Sequence, residues 1–382
     1  MEGFFLPMKQ GTPILISLYI VLLLPGCINP AAQKVITKEA VTLAADTIAA
    51  PTPVDTTISI AAVGDMMLGT TYPDSTALPP DSGRRSFKYA LKDLQEADLT
   101  FGNLEGVLLD TGAPLAMKLK FKSKPYLFKM PEKFGDIFKD AGFDVLSVAN
   151  NHTNDFGLKG RNSTVKILDS LGIHYAGLKT YPTKTFVIKG VKYGFCAFSP
   201  NSQTVSLLDI KGATDIIKEL KQQSDVVIVS FHGGGEGVDF EHVPLADESY
   251  KGERRGNVTA FAHAAIDAGA DVILGNGPHV SRAMELYKNR LIAYSLGNFC
   301  TYRSVSVAGV CGMAPLLKLR ITKKGQFLDG RIVSYKQTHD KGLMPDTLNR
   351  ASKRIKLLTE TDFEQPGLII SETGAITPAV IN

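Results

Sequence analysis

With 382 residues, 44% of them hydrophobic and 21% charged, the chain can bury one large or two modest cores and is not a disordered interaction tail. Its formal net charge of +4 is spread without a block of like charges or an arginine-rich stripe, which argues against nucleic acid as a partner. Four cysteines, none in a CxxC spacing, argue against a disulfide scaffold and against a structural zinc site; Cys300 and Cys311 are the closest pair in sequence for any single bridge.

Lys9 precedes the apolar run Pro13 to Leu24, which is short for a membrane span and of the right length for the core of a signal peptide. The run ends in Leu24-Pro25-Gly26-Cys27. That ending resembles the bacterial lipobox, so residues 1–27 read as a signal peptide whose cleavage leaves Cys27 as a lipid-modified first residue. A plain signal peptide with an incidental cysteine is the alternative, and Pro25 is uncommon at its place. Either reading takes the mature chain out of the cytoplasm, and the first makes it a lipoprotein anchored to a membrane of the bacterial cell envelope. Residues 28–57 are rich in Ala, Thr and Pro, are stiffened by Pro51-Thr52-Pro53, and read as a linker.

From Ile58 strands and helices alternate. Ile58 to Val63 reads as a strand stopped by Gly64-Asp65, and Ala97 to Gly102 as another, stopped by Asn103-Leu104-Glu105. A helix is expected from Pro131 to Ala141 with Gly142 as its stop, then a buried strand at Val145 to Ala149, then a helix from Arg161 to Leu171 ended by Gly172. Thr185 to Ile188 and Val191 to Phe198 read as a hairpin turning at Lys189-Gly190. Helices follow at Lys211 to Lys221 and Val258 to Ala268. Further strands are expected at Val226 to Ser230, Asp271 to Leu274 and Leu291 to Ser295, and a last hairpin turns around Lys323-Lys324-Gly325. Residues 58–340 are therefore expected to form one α/β domain with mixed sheets. Residues 341–382, with a thin helical pattern at Pro345 to Leu358 and a strand pair between Gly367 and Ala379, read as a C-terminal extension that packs on the domain or is partly disordered.

Five strand ends carry the same kind of cargo: Asp65, then Glu105, then Asn151 and His152, then His232, then Asn276 with His279. Each alone has a plain explanation as turn or cap chemistry; Asn150 to Asp155, for instance, serves equally well as an Asn-rich turn before a helix. Together they say more, because strands of one sheet system bring their ends to a common rim. Carboxylates, amide oxygens and imidazoles without thiolate suit one or two divalent ions of the Mn, Zn or Fe type. Metal-assisted hydrolysis follows, with His152 protonating the leaving group and Asp155 orienting it.

The motifs Gly64 to Gly69, Gly102 to Glu105, Ala149 to Gly157, His232 to Glu236, Gly275 to Val280 and Tyr294 to Phe299 together resemble the CapA-like family of poly-γ-glutamate capsule synthesis, in correct order from Ile58 to Phe299. That family belongs to the calcineurin-like metallophosphoesterases, so the resemblance implies a four-layer αββα sandwich of two mixed sheets between helices. It also implies Asp65 as a ligand of one metal, Glu105 as the bridging carboxylate, Asn151 and His232 as ligands of the second, His279 as a further ligand and His152 as the catalytic imidazole. Two departures stand out. The loop after the fifth strand usually carries another His where this chain has Asn276 and Gly277, and the usual Trp after the fourth-strand His is Gly233. Asn276 can still offer an oxygen.

Glu236, Arg282 and Asn298 stand as substrate-binding candidates, and basic residues such as Lys118, Arg254 and Arg255 either steer an anionic polymer or are merely solvated. The expected function is a metal-dependent hydrolase acting on a phosphoester or an anionic polymer in capsule synthesis or export, with capsule-synthesis membrane proteins as partners. The alternative is a non-catalytic polymer-binding or export component that keeps the fold with an impaired metal site.

Overall fold

A computed structural model describes residues 57–120, 126–303 and 305–379. The expected signal peptide, Cys27 and all but the last residue of the linker lie outside the described residues. Two sheets carry the described chain. The first is nine-stranded, in the order Leu368–Ile370, Ala375–Pro378, Phe327–Thr338, Met313–Thr322, Thr57–Met66, Leu99–Leu104, Val145–Ser147 and His174–Ala176, with Gly342–Pro345 also pairing Phe327–Thr338. The second is six-stranded: Met284–Tyr287, Arg290–Ala293, Val272–Asn276, Val226–His232, Val191–Phe198 and Thr183–Ile188. Each sheet holds a run of four parallel strands, from Thr57–Met66 to His174–Ala176 in the first and from Val191–Phe198 to Arg290–Ala293 in the second. Antiparallel strands flank both runs.

Period-two alternation divides each strand between two cores. Ile58, Ile60 and Ala62 face the second sheet and pack with Phe195, Ile228, Leu274 and Leu317, whereas Ala61 and Val63 face outward. The outward set meets Phe134 and Phe138 of the helix Phe134–Ala141 and Val165 and Leu168 of the helix Gly157–Leu171. On the far side of the second sheet, Val227, Val229 and Ile273 pack against Ile217 and Leu220 of the helix Ile210–Gln222 and against Phe261 and Ala265 of the helix Val258–Asp267. The result is helix, sheet, sheet, helix: the αββα sandwich.

The glycine stops act as expected, since Gly142 and Gly172 close their helices in the left-handed region at φ 94° and 63°. The described residues beyond 340 include strands of the first sheet and the helix Arg350–Asp362, whose Ile355 joins the core between the sheets and whose Leu358 joins the core on the far side of the second sheet. The helical pattern is thin in sequence because this helix buries only Ala351, Ser352, Ile355, Leu358 and Thr359. Cys196, Cys300 and Cys311 are buried free thiols, so no bridge joins Cys300 to Cys311.

Candidate metal centre

The carboxyl ends of both parallel runs point to one place, where ligands gather in open α/β sheets. Gly64 makes the junction possible. A Cβ there would sit 2.0 Å from the carbonyl oxygen of Gly297, and that close approach lets Asp65 N donate to Gly297 O at 2.8 Å while Phe299 N donates to Asp65 O at 2.9 Å. The loop leaving the second sheet is thereby stitched to the first strand of the first.

Asp65 is fully buried. Its Oδ1 accepts from Asn103 Nδ2 at 2.7 Å, and its Oδ2 accepts from Gly277 N at 3.2 Å and faces His279 Nδ1 at 3.2 Å. Burial raises its carboxyl, but these donors and His232 hold it below the ordinary aspartate range. Glu105 is also fully buried, 3.5 Å from His279 Nε2 and 3.9 Å from His152 Nε2. Neither of its oxygens has a hydrogen-bond partner among the described residues. Burial, then the neighbouring Asp65, Glu236 and Asp155, push its carboxyl well up against the pull of His279. A buried carboxyl group without donors is suited to a divalent cation as its partner.

Asp65, Glu105 and His279 each offer an atom within 4.8 Å of the others. Around them, Asn151 Oδ1, Asn276 Oδ1 and His232 Nε2 are likewise buried without a hydrogen-bond partner. Burial pushes the His232 imidazole down to about 4 despite the pull of Asp65, so the ring is neutral and can act as a nitrogen ligand. The two adjacent asparagines divide their work. Asn150 spends its amide on structure, donating to Leu104 O at 2.8 Å and accepting from His152 N at 3.1 Å, and this leaves Asn151 with the free oxygen. Asn276 is similar: its Nδ2 donates to Ser230 Oγ at 3.1 Å and to Leu274 O at 3.2 Å, and Oδ1 stays unspent. An oxygen- and nitrogen-rich set of this kind fits a divalent cation.

His152 Nδ1 lies 2.8 Å from Asp155 Oδ2, which also accepts from Phe128 N at 2.9 Å. The Phe128 ring stacks on the imidazole at 3.9 Å between centroids, covering one face. Glu236 Oε1 pairs with Arg255 Nη2 at 2.9 Å beside this cluster; burial raises its carboxyl, but His279 and Arg255 bring it below the usual range.

Two substrate-binding candidates have other work. Arg282 is fully buried, and its guanidinium donates to both oxygens of Glu248 at 2.9 and 2.7 Å and to Phe240 O at 2.7 Å, so it offers no free donor fork to a substrate. Asn298 faces His279 Nδ1 at 3.0 Å through Oδ1 and donates to His279 O, Ser306 O and Cys311 O, holding that histidine in its left-handed conformation at φ 59°. Neither role is visible from sequence, where a buried arginine and a solvent-facing one look alike. Asn103 has no assigned role within the Gly102 to Glu105 motif, yet it joins Asp65, sits 3.4 Å from His232 Nδ1 and is 3.4 Å from Asn150. Its place near the end of the strand Leu99–Leu104, two residues before Glu105, is the available signal.

Two mixed sheets packed between helices, with a polar centre at the carboxyl ends of their parallel strands, make this an α/β protein of the αββα sandwich class. The chain belongs to the family described as "Bacterial capsule synthesis protein PGA_cap", which matches residues 59–303. It is 30% identical over 237 residues to the capsule biosynthesis protein CapA of Bacillus anthracis, covering 56% of this chain and 53% of that one. It is 29% identical over 264 residues to the PGA biosynthesis protein CapA of Bacillus subtilis (strain 168), covering 64% and 63%. The chain thus spans between about half and just under two thirds of these relatives. Among solved structures, a 5′-nucleotidase precursor from Thermus thermophilus is similar with a TM-score of 0.42 and 12% identity, over 80% of this chain and 59% of that one.

Proposed function

We propose that this chain is a metal-dependent hydrolase of the cell envelope, acting on a phosphoester or an anionic polymer in capsule biosynthesis. The single observation that carries the reading is Glu105: a fully buried carboxylate with two unpartnered oxygens, set among Asp65, His279 and His152. Asp65, Glu105 and His279 would hold one divalent ion, and Asn151, His232 and Asn276 would offer ligand atoms to a second. When bound, such ions polarise the scissile group and make hydroxide accessible near neutral pH.

The chain's own residues do the rest. His152, with Nδ1 directed to Asp155, presents Nε2 toward the Glu105 side of the site; in its protonated form that nitrogen gives its proton to the departing oxygen. Asp155 fixes the ring and balances its charge, and Phe128 keeps water from one face. The relatives named for capsule and PGA biosynthesis support an anionic polymer as the natural substrate. Cys27 would carry the lipid that keeps the site at a membrane, beside capsule-synthesis membrane proteins.

Turnover of bis(4-nitrophenyl) phosphate by the metal-replete full chain tests this, and His152→Ala is expected to lower kcat by about 10²- to 10⁴-fold. Unchanged turnover in that variant contradicts the reading. The second reading, a binding or export component without catalysis, is favoured by Asn276 and Gly277 at the usual imidazole position. Gly277 sits at φ 115° with a built Cβ 3.0 Å from Gly233 N, so a histidine there would be strained. Activity abolished by Asp65→Asn would rule the binding-only reading out.

A further inference from the structure

Lys118 lies on the short turn Ala116–Leu119, in a stretch whose alternating lysines suggest solvated charge or polymer steering. Its ammonium turns inward instead. Nζ donates to the main-chain carbonyl of Asn151 at 2.9 Å and stands 3.0 Å from Asp155 Oδ1, with 28% of the side chain exposed. The turn is itself tied to the same place, since Leu115 N donates to Asp155 O at 2.8 Å and Lys118 N to Leu115 O at 2.9 Å.

The Asp155 side chain is fully buried. Its Oδ2 serves His152 and Phe128, while Oδ1 has no directed hydrogen bond and faces the lysine charge alone. Burial opposes the ionised carboxyl, and His152, Lys118 and the Phe128 N–H together keep it below the ordinary range. A buried carboxylate needs charged partners on both of its oxygens, and the Lys118 ammonium is placed to serve the one that His152 does not reach. One side chain thus reaches both the carbonyl of the candidate ligand Asn151 and the Asp155 carboxylate that orients the candidate acid His152.

We infer that Lys118 is a positioning residue that locks the His152–Asp155 pair and the Asn151 turn into one arrangement, so that the imidazole proton is aimed at the leaving oxygen. The catalytic half of this rests on the proposed hydrolase reading; the structural half does not.

The test uses the full chain with ¹⁵N-labelled histidine. The His152 Nδ1–H resonance, assigned by its absence in His152→Ala, is expected to be protected from exchange in the unsubstituted protein and in Lys118→Arg, and broadened or lost in Lys118→Met. An unchanged resonance in Lys118→Met overturns the inference. Should that variant fail to fold, Lys118→Gln, which keeps a donor for the Asn151 carbonyl without the charge, is read in the same way. In kinetics, Lys118→Met is expected to lower kcat about 10- to 100-fold with KM little changed, and to lower it more for an alkyl phosphoester than for a 4-nitrophenyl one. A raised KM with unchanged kcat and leaving-group dependence shows substrate contact and overturns the inference. If His152→Ala itself leaves turnover unchanged, the hydrolase reading fails while the imidazole resonance still decides where Lys118 acts.

Discussion

Asp65 Oδ2, on the first sheet, lies 3.2 Å from His279 Nδ1, on the loop that follows the Val272–Asn276 strand of the second. The two sheets pack through apolar side chains along most of their length, yet at the carboxyl ends of their parallel strands they meet through charged and polar groups. Each oxygen of Asp65 faces donors, Asn103 from its own sheet and Gly277 and His279 from the other. A carboxylate so placed both joins the sheets and presents a negative centre.

Replacing it with an amide should fail on both counts. In Asp65→Asn the new NH₂ must face at least one of these donors, so metal retention is expected to drop and the melting temperature to fall. Elemental analysis and a thermal melt on the same sample check this; a variant that keeps its metal and its melting temperature contradicts the assignment of Asp65.

Gly64→Ala should be disproportionately harmful for a single methyl. The added Cβ would stand 2.0 Å from Gly297 O, backbone that cannot swing aside as a side chain can. A loss of about 1–3 kcal/mol or more in urea denaturation is expected, together with weakened metal binding, because Asp65 is the next residue.

Arg282→Ala should unfold rather than raise KM. Its guanidinium is buried against Glu248, and removing either partner leaves the other charge buried and alone, at a cost of about 3–5 kcal/mol. Glu248→Ala is therefore expected to destabilise by a similar amount, and a stable Arg282→Ala with a purely kinetic defect would restore the substrate-binding role.

Much of this is legible in the chain, and the reasons are physical. Strands such as Val226–His232 are buried throughout and mostly apolar because both faces are covered, and each of five strand ends carries a polar residue that the fold must then place together. What cannot be read are roles set by partners distant in sequence. Arg282 depends on Glu248 and Phe240, Asn298 on His279 and Cys311, and Lys118 on Asn151 and Asp155; none of these pairings leaves a periodic trace. The strand pair expected between Gly367 and Ala379 forms as Leu368–Ile370 and Ala375–Pro378, whereas the four-residue strand Gly342–Pro345 alternates over too few residues to announce itself.

Acid sensitivity has a clear source away from the site. Asp98 accepts from Ser59 N and Oγ at 2.9 and 2.7 Å and from Lys189 Nζ at 2.5 Å, linking the amino end of the first strand to the hairpin of the second sheet. Burial raises its carboxyl, but Lys189 and Ser59 outweigh this and lower it. A folded-state value below the unfolded one, about 3.9, means its stabilisation is present above that pH and is lost as pH falls through the folded value. Urea midpoints measured from about pH 6 to about pH 3 should fall more steeply for the unsubstituted chain than for Asp98→Asn; equal slopes would contradict the linkage.

Elemental analysis of the full chain, prepared with Mn, Zn and Fe available, bears most directly on the central claim that the five strand ends form a metal centre. The expected result is a tightly held transition metal in the unsubstituted protein and its loss in Glu105→Gln, which keeps the shape of the side chain but removes the charge. A metal-replete preparation that holds no such ion, or a Glu105→Gln variant that holds as much as its parent, would contradict it.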